Sequence, residues 1–299
     1  MPLLSDDSRG FAISLDLLLA LIPITIILGF VAADMTNLIY QTEDTVFRSS
    51  MDRAAGDAVS TLLETSGTPT NWELNGNPNI VGLAQYNTNT NSSMQGTIDP
   101  VKLNAITAPE IQQLIGNDYN FNMTVSTIVS STPIKFIGSS ASNATNVVRV
   151  QRVVQTSQFK IVSELVGGQI LYTGGVRNYN APSFQTTSFS NQTYTYWIYF
   201  GNVTNFKSAS VSINNNAINI NNLINGNNNN ATQINSTFLN FNGTTPVNNT
   251  VSLNASGSFP SSMDFYIVQT PNGATANSIN ANTVIPQYCN FTFYLWSKG

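Results

Sequence analysis

The chain has 299 residues, enough for one large domain or two after an N-terminal segment is set aside. Only 9 % of them are Asp, Glu, Lys or Arg, against about 25 % in an average globular domain. The net charge of −4 comes without a basic cluster, which excludes the electrostatic footprint of a nucleic-acid binder. There is no His, so Ser-His-Asp and Cys-His catalysis and imidazole-based zinc sites are excluded. The single Cys, Cys289, rules out a disulfide within the chain and reads as a buried thiol in a C-terminal strand.

Charge is unevenly placed. Residues 1–66 carry nine acids and three bases, whereas the next 233 positions carry only fourteen charges. A water-facing surface there must be built from amides and hydroxyls, and the chain has 41 Asn and 63 Ser plus Thr to build it.

The first element in chain order is an apolar run, Phe11 to Ala33, in which Asp16 is the only charge. A bilayer core takes about 20 residues of helix, so 23 are enough to cross one. An ionised carboxylate inside such a helix costs on the order of 1–3 kcal/mol and invites a functional reading. Three readings fit the run. In the first it is a secretory signal peptide cut before Asp34, although MPLLSDDSRG lacks the positive charge usual ahead of such a segment. In the second it is a plain membrane anchor with the C-terminal part outside.

The third reading rests on Arg9-Gly10-Phe11, on Ile13-Ser14-Leu15-Asp16, on the uninterrupted apolar helix and on Pro23 within it. Here the chain resembles archaeal type IV pilin-like proteins, the methanogen group with class III signal peptides. The resemblance covers about the first 35 residues. It implies that a prepilin-type peptidase removes a short polar leader, residues 1–10, on the cytoplasmic side. The cut would fall at Gly10 or Phe11, placing Asp16 at the sixth or fifth mature position. It also implies that this acid pairs with the new amino terminus of a neighbouring subunit, so that copies of the chain or related pilins pack in a filament core. The acid is Asp where the family more often has Glu.

Beyond Asp34 no Pro interrupts the chain before Thr65. Leu38, Thr42, Val46, Ala55, Ala58, Val59 and Leu62 recur mostly at three- and four-residue steps, the spacing of one helical face. Asp44–Arg48, Arg48–Asp52 and Arg53–Asp57 are i,i+4 opposite-charge pairs, each worth about 0.2–0.5 kcal/mol on an exposed face. Ser66-Gly67-Thr68-Pro69 supplies the stop. Residues 11–66 are therefore predicted as a long helix, transmembrane first and then a stalk.

Residues 67–299 read as a mainly antiparallel, β-sandwich-like head with two short helices, an α+β chain overall. Asp99-Pro100 opens one helix and the capping box Thr107-Ala-Pro-Glu110 the other, closed by Gly116. Strands are predicted at Phe121–Val129, Val147–Val154, Gln158–Leu165, Tyr194–Phe200, Ser208–Ile213, Thr250–Leu253, Asp264–Gln269 and Asn290–Trp296. The aromatics of Tyr194–Phe200 read as core rather than as a carbohydrate platform. Turns are expected at Asn75-Gly76, Asn225-Gly226, Asn242-Gly243 and Pro271-Asn272-Gly273. Residues 214–230 form an Asn-rich, low-complexity insert, read as a long loop or an Asn-lined edge strand.

Eleven Asn-X-Ser/Thr sequons occur, at Asn91, Asn122, Asn143, Asn191, Asn202, Asn230, Asn235, Asn242, Asn248, Asn254 and Asn290. Their number is what so Asn-rich a chain gives by chance, yet on an exterior surface some would carry glycans. The acids of the head, Glu73, Asp99, Glu110, Asp118, Glu164 and Asp264, show no pairing in sequence that suggests carboxylate catalysis. Gly167-Gly168 and Gly174-Gly175 lack the Lys-Ser/Thr of a phosphate loop. A calcium site on Asn117, Asp118 and Asn120 is the weaker of two readings of that turn. The expectation is a structural surface protein without cofactor or metal, pilin-like or, alternatively, a monomeric membrane-anchored adhesin or binding module that does not polymerise.

Overall fold

The computed structural model describes residues 8–74, 78–87, 90–129, 133–142, 144, 146–172, 175–224, 231–243 and 245–298. The chain divides into two compact units, Met1–Ala54 and Ala55–Gly299. It is α+β, with a long N-terminal helix and a mostly antiparallel β head.

Helix α1 (Ser8–Glu64) has 57 residues and runs through Pro23 without interruption. In the first unit residues 16–50 are all solvent-exposed. Hydroxyls along it are satisfied by the helix itself: Thr25 donates to Ile22 O, Thr36 to Ala32 O and Thr42 to Leu38 O, at 2.7–2.9 Å. Of the predicted ion pairs, Asp44–Arg48 closes, at 3.0 Å. The other two do not come within ion-pair distance.

In the second unit the end of α1 buries Ala55, Ala58, Val59, Leu62 and Leu63. The chain then turns at Gly67, whose φ of +82° is open to glycine without strain. A Cβ there would also lie 2.6 Å from the Trp72 ring, so the position admits no side chain. Trp72 is itself buried and donates through Nε1 to Gly82 O at 2.8 Å, while the Leu83 N–H donates to Leu62 O at 2.7 Å. These bonds tie the segment after the helix to its last turn.

The remaining elements follow in order: β1 (Ala84–Asn87), β2 (Ser92–Ile98), α2 (Pro100–Ala105), α3 (Ala108–Ile115), β3 (Tyr119–Thr127), β4 (Pro133–Gly138) and β5 (Val148–Thr156). Next come β6 (Lys160–Leu165), β7 (Leu171–Tyr172), β8 (Arg177–Thr186), α4 (Ser188–Thr193), β9 (Tyr194–Ile213), β10 (Asn216–Asn219) and α5 (Asn221–Ile224). The last are β11 (Ala231–Gln233), β12 (Val247–Pro271), α6 (Ala281–Val284) and β13 (Gln287–Ser297). The described head thus has five short helices where two were predicted. Before α2, Asp99 caps by accepting from Val101 N at 2.9 Å, and Thr107 and Glu110 form a reciprocal box before α3.

One sheet has the order β1-β2-β5-β13-β3-β4. It is antiparallel except where β2 meets β5 at Thr97 and Gln155. One face buries Phe121, Met123 and Val125 of β3 beside Phe291, Phe293 and Leu295 of β13, with Phe121 and Phe293 stacked at 5.9 Å.

The second sheet overturns the sandwich expectation, because it curls in a barrel-like way. Tyr194–Phe200 and Ser208–Ile213, predicted as separate strands, are the two ends of the single 20-residue β9. Thr250–Leu253 and Asp264–Gln269 likewise lie on the 25-residue β12. These two pair from Val251–Ile213 to Pro271–Tyr194, with register shifts around Gly257 and Ser262. Opposite the shifts β9 carries Asn202 and Asn205 at positive φ. Bulges of this kind bend a strand and increase its twist, so two long strands curl instead of lying flat in a layer. β12 receives β8, β7 and β6 in turn along its other edge, and β9 receives β10 and β11. The curl encloses Ile198, Phe200, Val211, Leu253, Phe265 and Ile267.

The Asn-rich insert contains ordered pieces. Asn214 and Asn215 both have positive φ and form the two-residue turn between β9 and β10, the conformation a type I′ hairpin needs. Its residues 225–230, including Asn225-Gly226, lie outside the described residues, as does Asn75-Gly76.

Candidate functional site

The first unit presents a continuous apolar surface on α1. The most apolar 18-residue stretch of this helix has a mean hydropathy of 2.4 and no buried residue, so the helix is long and apolar enough to cross a membrane. Leu17, Leu21, Ile24, Ile27, Leu28 and Phe30 are each at least half exposed. In water such a surface would be costly at about 25 cal/mol per Å² of apolar area, so it requires lipid or protein cover. Asp16 is exposed on the same helix, and Pro23 lies about a quarter of the way along it. Gly10 and Phe11 are helical, while residues 1–7 of the expected leader lie outside the described residues.

In the second unit four of the fourteen head charges converge. Lys160 Nζ sits 2.8 Å from Asp99 Oδ2, with the Asp99 side chain 5 % exposed and the Lys160 side chain 32 %. Burial pushes the Asp99 carboxyl up, but Lys160, the Val101 N–H and Lys102 outweigh it and hold the group below its ordinary range. Burial pushes the Lys160 ammonium down, and Asp99 more than reverses this. Lys102, 1 % exposed, donates to Ser66 O at 2.6 Å and to Ala84 O at 3.4 Å, and burial lowers its affinity for the proton. Glu73 keeps one buried oxygen, Oε2, without a hydrogen-bond partner. Burial raises its pKa, and it acts in turn on Tyr194, which burial raises to about 12. Lys102 thereby fastens Ser66, just past the last turn of α1, to Ala84 at the start of β1.

A second polar hub lies in the curled sheet. Asn249 is fully buried; its Oδ1 accepts from Asn214 Nδ2 and Asn240 N, each at 2.7 Å, and its Nδ2 donates to Thr186 Oγ1 at 2.8 Å. Neither cluster was foreseen from sequence. The rarity of charge in the head was the available signal for the first: a Lys or Asp in so neutral a segment is seldom there for solubility alone.

The sequons divide by environment. Asn122 is buried and donates to Ser139 O at 3.0 Å. Asn202 donates to Asp264 Oδ2 at 2.6 Å, Asn235 caps the turn at Ser236–Phe238, and Asn290 accepts from Gln151 Nε2 at 3.1 Å. Asn91, Asn242, Asn248 and Asn254 are exposed. Asn191 lies in α4, and Asn143 and Asn230 lie outside the described residues.

Glu110 is occupied by its capping box, and Asp264 accepts from Asn202 and from Gly167 N. Asn117 and Asp118 are exposed in the turn before β3. Among the described residues no three His, Cys, Asp or Glu side chains cluster as metal ligands. Cys289 is buried on β13, as a structural thiol would be. A comparison of the chain with protein-family models, with curated proteins and with solved structures finds no match.

Proposed function

We propose that the protein is a structural, non-catalytic subunit of the cell surface, pilin-like, held in the membrane by α1 and able to pack that helix into a filament core. Its Asn-rich β head faces the exterior. The observation that carries this reading is the helix itself: 35 successive residues, 16–50, without one buried side chain. A head with its own buried cores has no further use for that apolar surface within the chain, whereas lipid and neighbouring helices do. Asp16 then has a purpose that a plain anchor does not give it, as the partner of a neighbour's amino group within the apolar bundle. Replacing Asp16 with Ala in the full chain, in its own cell, tests the proposal. Membrane insertion should persist, because the change makes the helix more apolar, while assembly into filaments is lost. Normal filaments from Asp16→Ala would refute the assigned role.

A further inference from the structure

Asp99 and Lys160 bring an amine against a carboxyl at the seam between the two sheets. Asp99 follows β2 of the first sheet and Lys160 opens β6 of the second, 61 residues further along the chain. The carboxyl is held in one orientation. Its Oδ1 accepts from Val101 N at 2.9 Å, and its Oδ2 lies 2.8 Å from Lys160 Nζ. The backbone around both residues is clamped. Thr156 Oγ1 donates to Ile98 O at 3.1 Å, Asn104 Nδ2 to Gln158 O at 3.3 Å, and Asp99 N to Leu83 O at 2.9 Å. Reacting groups fixed in this way meet at an effective concentration on the order of 10⁵ M or more.

Glu73 supplies a third group. It lies within electrostatic range of both Asp99 and Lys160, and burial makes it hold its proton to higher pH than an ordinary carboxyl. Its buried Oε2 takes part in no hydrogen bond, so the fold makes no structural use of that oxygen. With a single Cys in the chain, no disulfide can join the two sheets.

We propose that Lys160 and Asp99 condense after folding into an intramolecular amide that staples the first sheet to the second, with Glu73 as the proton relay. The step needs no oxidant and no co-reactant. The ammonium of the ion pair passes one proton to Oδ2, which leaves both groups neutral, and the Nζ lone pair attacks Cγ. The C–N bond forms and the Cγ–Oδ2 bond breaks. Glu73 gives a proton to the departing Oδ2 and takes one from Nζ, so it ends as it began. Oδ2 leaves as water with two protons, and the third proton of the ammonium stays on the amide nitrogen. Oδ1 becomes the amide oxygen and keeps the Val101 N–H, which stabilises the negative charge it carries at the tetrahedral stage. Condensation also removes two charges whose desolvation opposes the buried ion pair.

The test is a tryptic digest of the full chain, taken from the membranes of its own cell and unfolded before digestion. Trypsin does not cut after an acylated lysine. The expected product is therefore a branched peptide joining residues 54–102 to 153–177, lighter than its two arms by one water. It should be absent from Lys160→Arg, which keeps the cation, and from Asp99→Ser, which keeps a cap for α2. The linear peptide Val153–Lys160 should be at least about tenfold scarcer from the wild-type chain than from Asp99→Ser. Its full recovery from the wild-type chain would overturn the proposal, whatever the variants do. The same digest reports the share of chains that still carry the ion pair, in which both groups titrate; in the amide neither does. After an isotopic pulse, Glu73→Gln should form the branched peptide at least about a hundredfold more slowly, the lower end of what a positioned proton-transfer group supplies. Formation at the wild-type rate, in a Glu73→Gln chain whose Cys289 stays protected from maleimide, would overturn the relay and leave the bond.

Discussion

Removing Lys160 should damage the head more than removing the acid it neutralises. In Lys160→Met the Asp99 carboxylate keeps its Val101 N–H bond but loses its 2.8 Å ammonium partner while remaining 5 % exposed. Breaking a buried pair by deleting one partner costs about 3–5 kcal/mol. Because the Lys160 side chain is 32 % exposed, water can partly replace it and about 2–4 kcal/mol is the figure expected here. Asp99→Asn keeps an N-cap for α2, and it leaves behind an ammonium that can reach solvent, so about 1–2 kcal/mol is expected. The double variant, with no buried charge left unpaired, should be less destabilised than the sum of the two. Urea unfolding of the detergent-solubilised chain, followed by tryptophan fluorescence, measures all three. The pH dependence has a definite sign. In the ion pair Asp99 titrates lower folded than unfolded, so its contribution is present above the ordinary carboxyl value of 3.8 and is lost as pH falls through the lower folded value. Lys160 titrates higher folded than unfolded, so its contribution is full below 10.5 and is lost as pH rises through the folded value. Lys160→Met should flatten the acid limb. A Lys160→Met variant that loses less stability than Asp99→Asn, or keeps the wild-type acid limb, would refute the reasoning.

Two further outcomes follow from buried groups. Asn249→Ala strips partners from Asn214 Nδ2, the Asn240 N–H and Thr186 Oγ1; it should cost about 2–4 kcal/mol, and a urea midpoint within error of wild type would contradict the hub. Cys289 is fully buried, and burial pushes its thiol up, so a water-soluble maleimide should not label it in the native chain and should label it fully in urea. Rapid native labelling would show that β13 is not packed as described.

The long helix was legible because its signals are local. Apolar spacing, the absence of Pro beyond Pro23 and the Ser66-Gly67 stop each act within a turn or two, and α1 ends at Glu64. Some strands were legible for the same reason, as Phe121 and Phe291 show on β3 and β13, whereas β1, β2, β4 and β8 were not anticipated. The join of Tyr194–Phe200 to Ser208–Ile213 was not legible: residues 201–207 were left between two strands, yet Asn202 and Asn205 sit at positive φ inside one bent strand. Whether two strand-like runs are one strand depends on the partner alongside, here β12 bending at Gly257, and a pairing so far apart in sequence leaves no local mark. The charge cluster was hidden likewise: Glu73, the α2 pair Asp99 and Lys102, and Lys160 come from three places along the chain. Asp16 was conspicuous at once, as the only charge in the apolar run.

The central claim is that α1 belongs to a processed, self-packing subunit, and the mature N-terminus tests it most directly. Intact-mass and N-terminal peptide analysis of the protein from membranes should find a chain beginning at Phe11 or Ala12, with residues 12–33 retained. A chain that keeps Met1 or Pro2 would contradict processing, and one that begins at Asp34 would remove the helix on which the whole account rests.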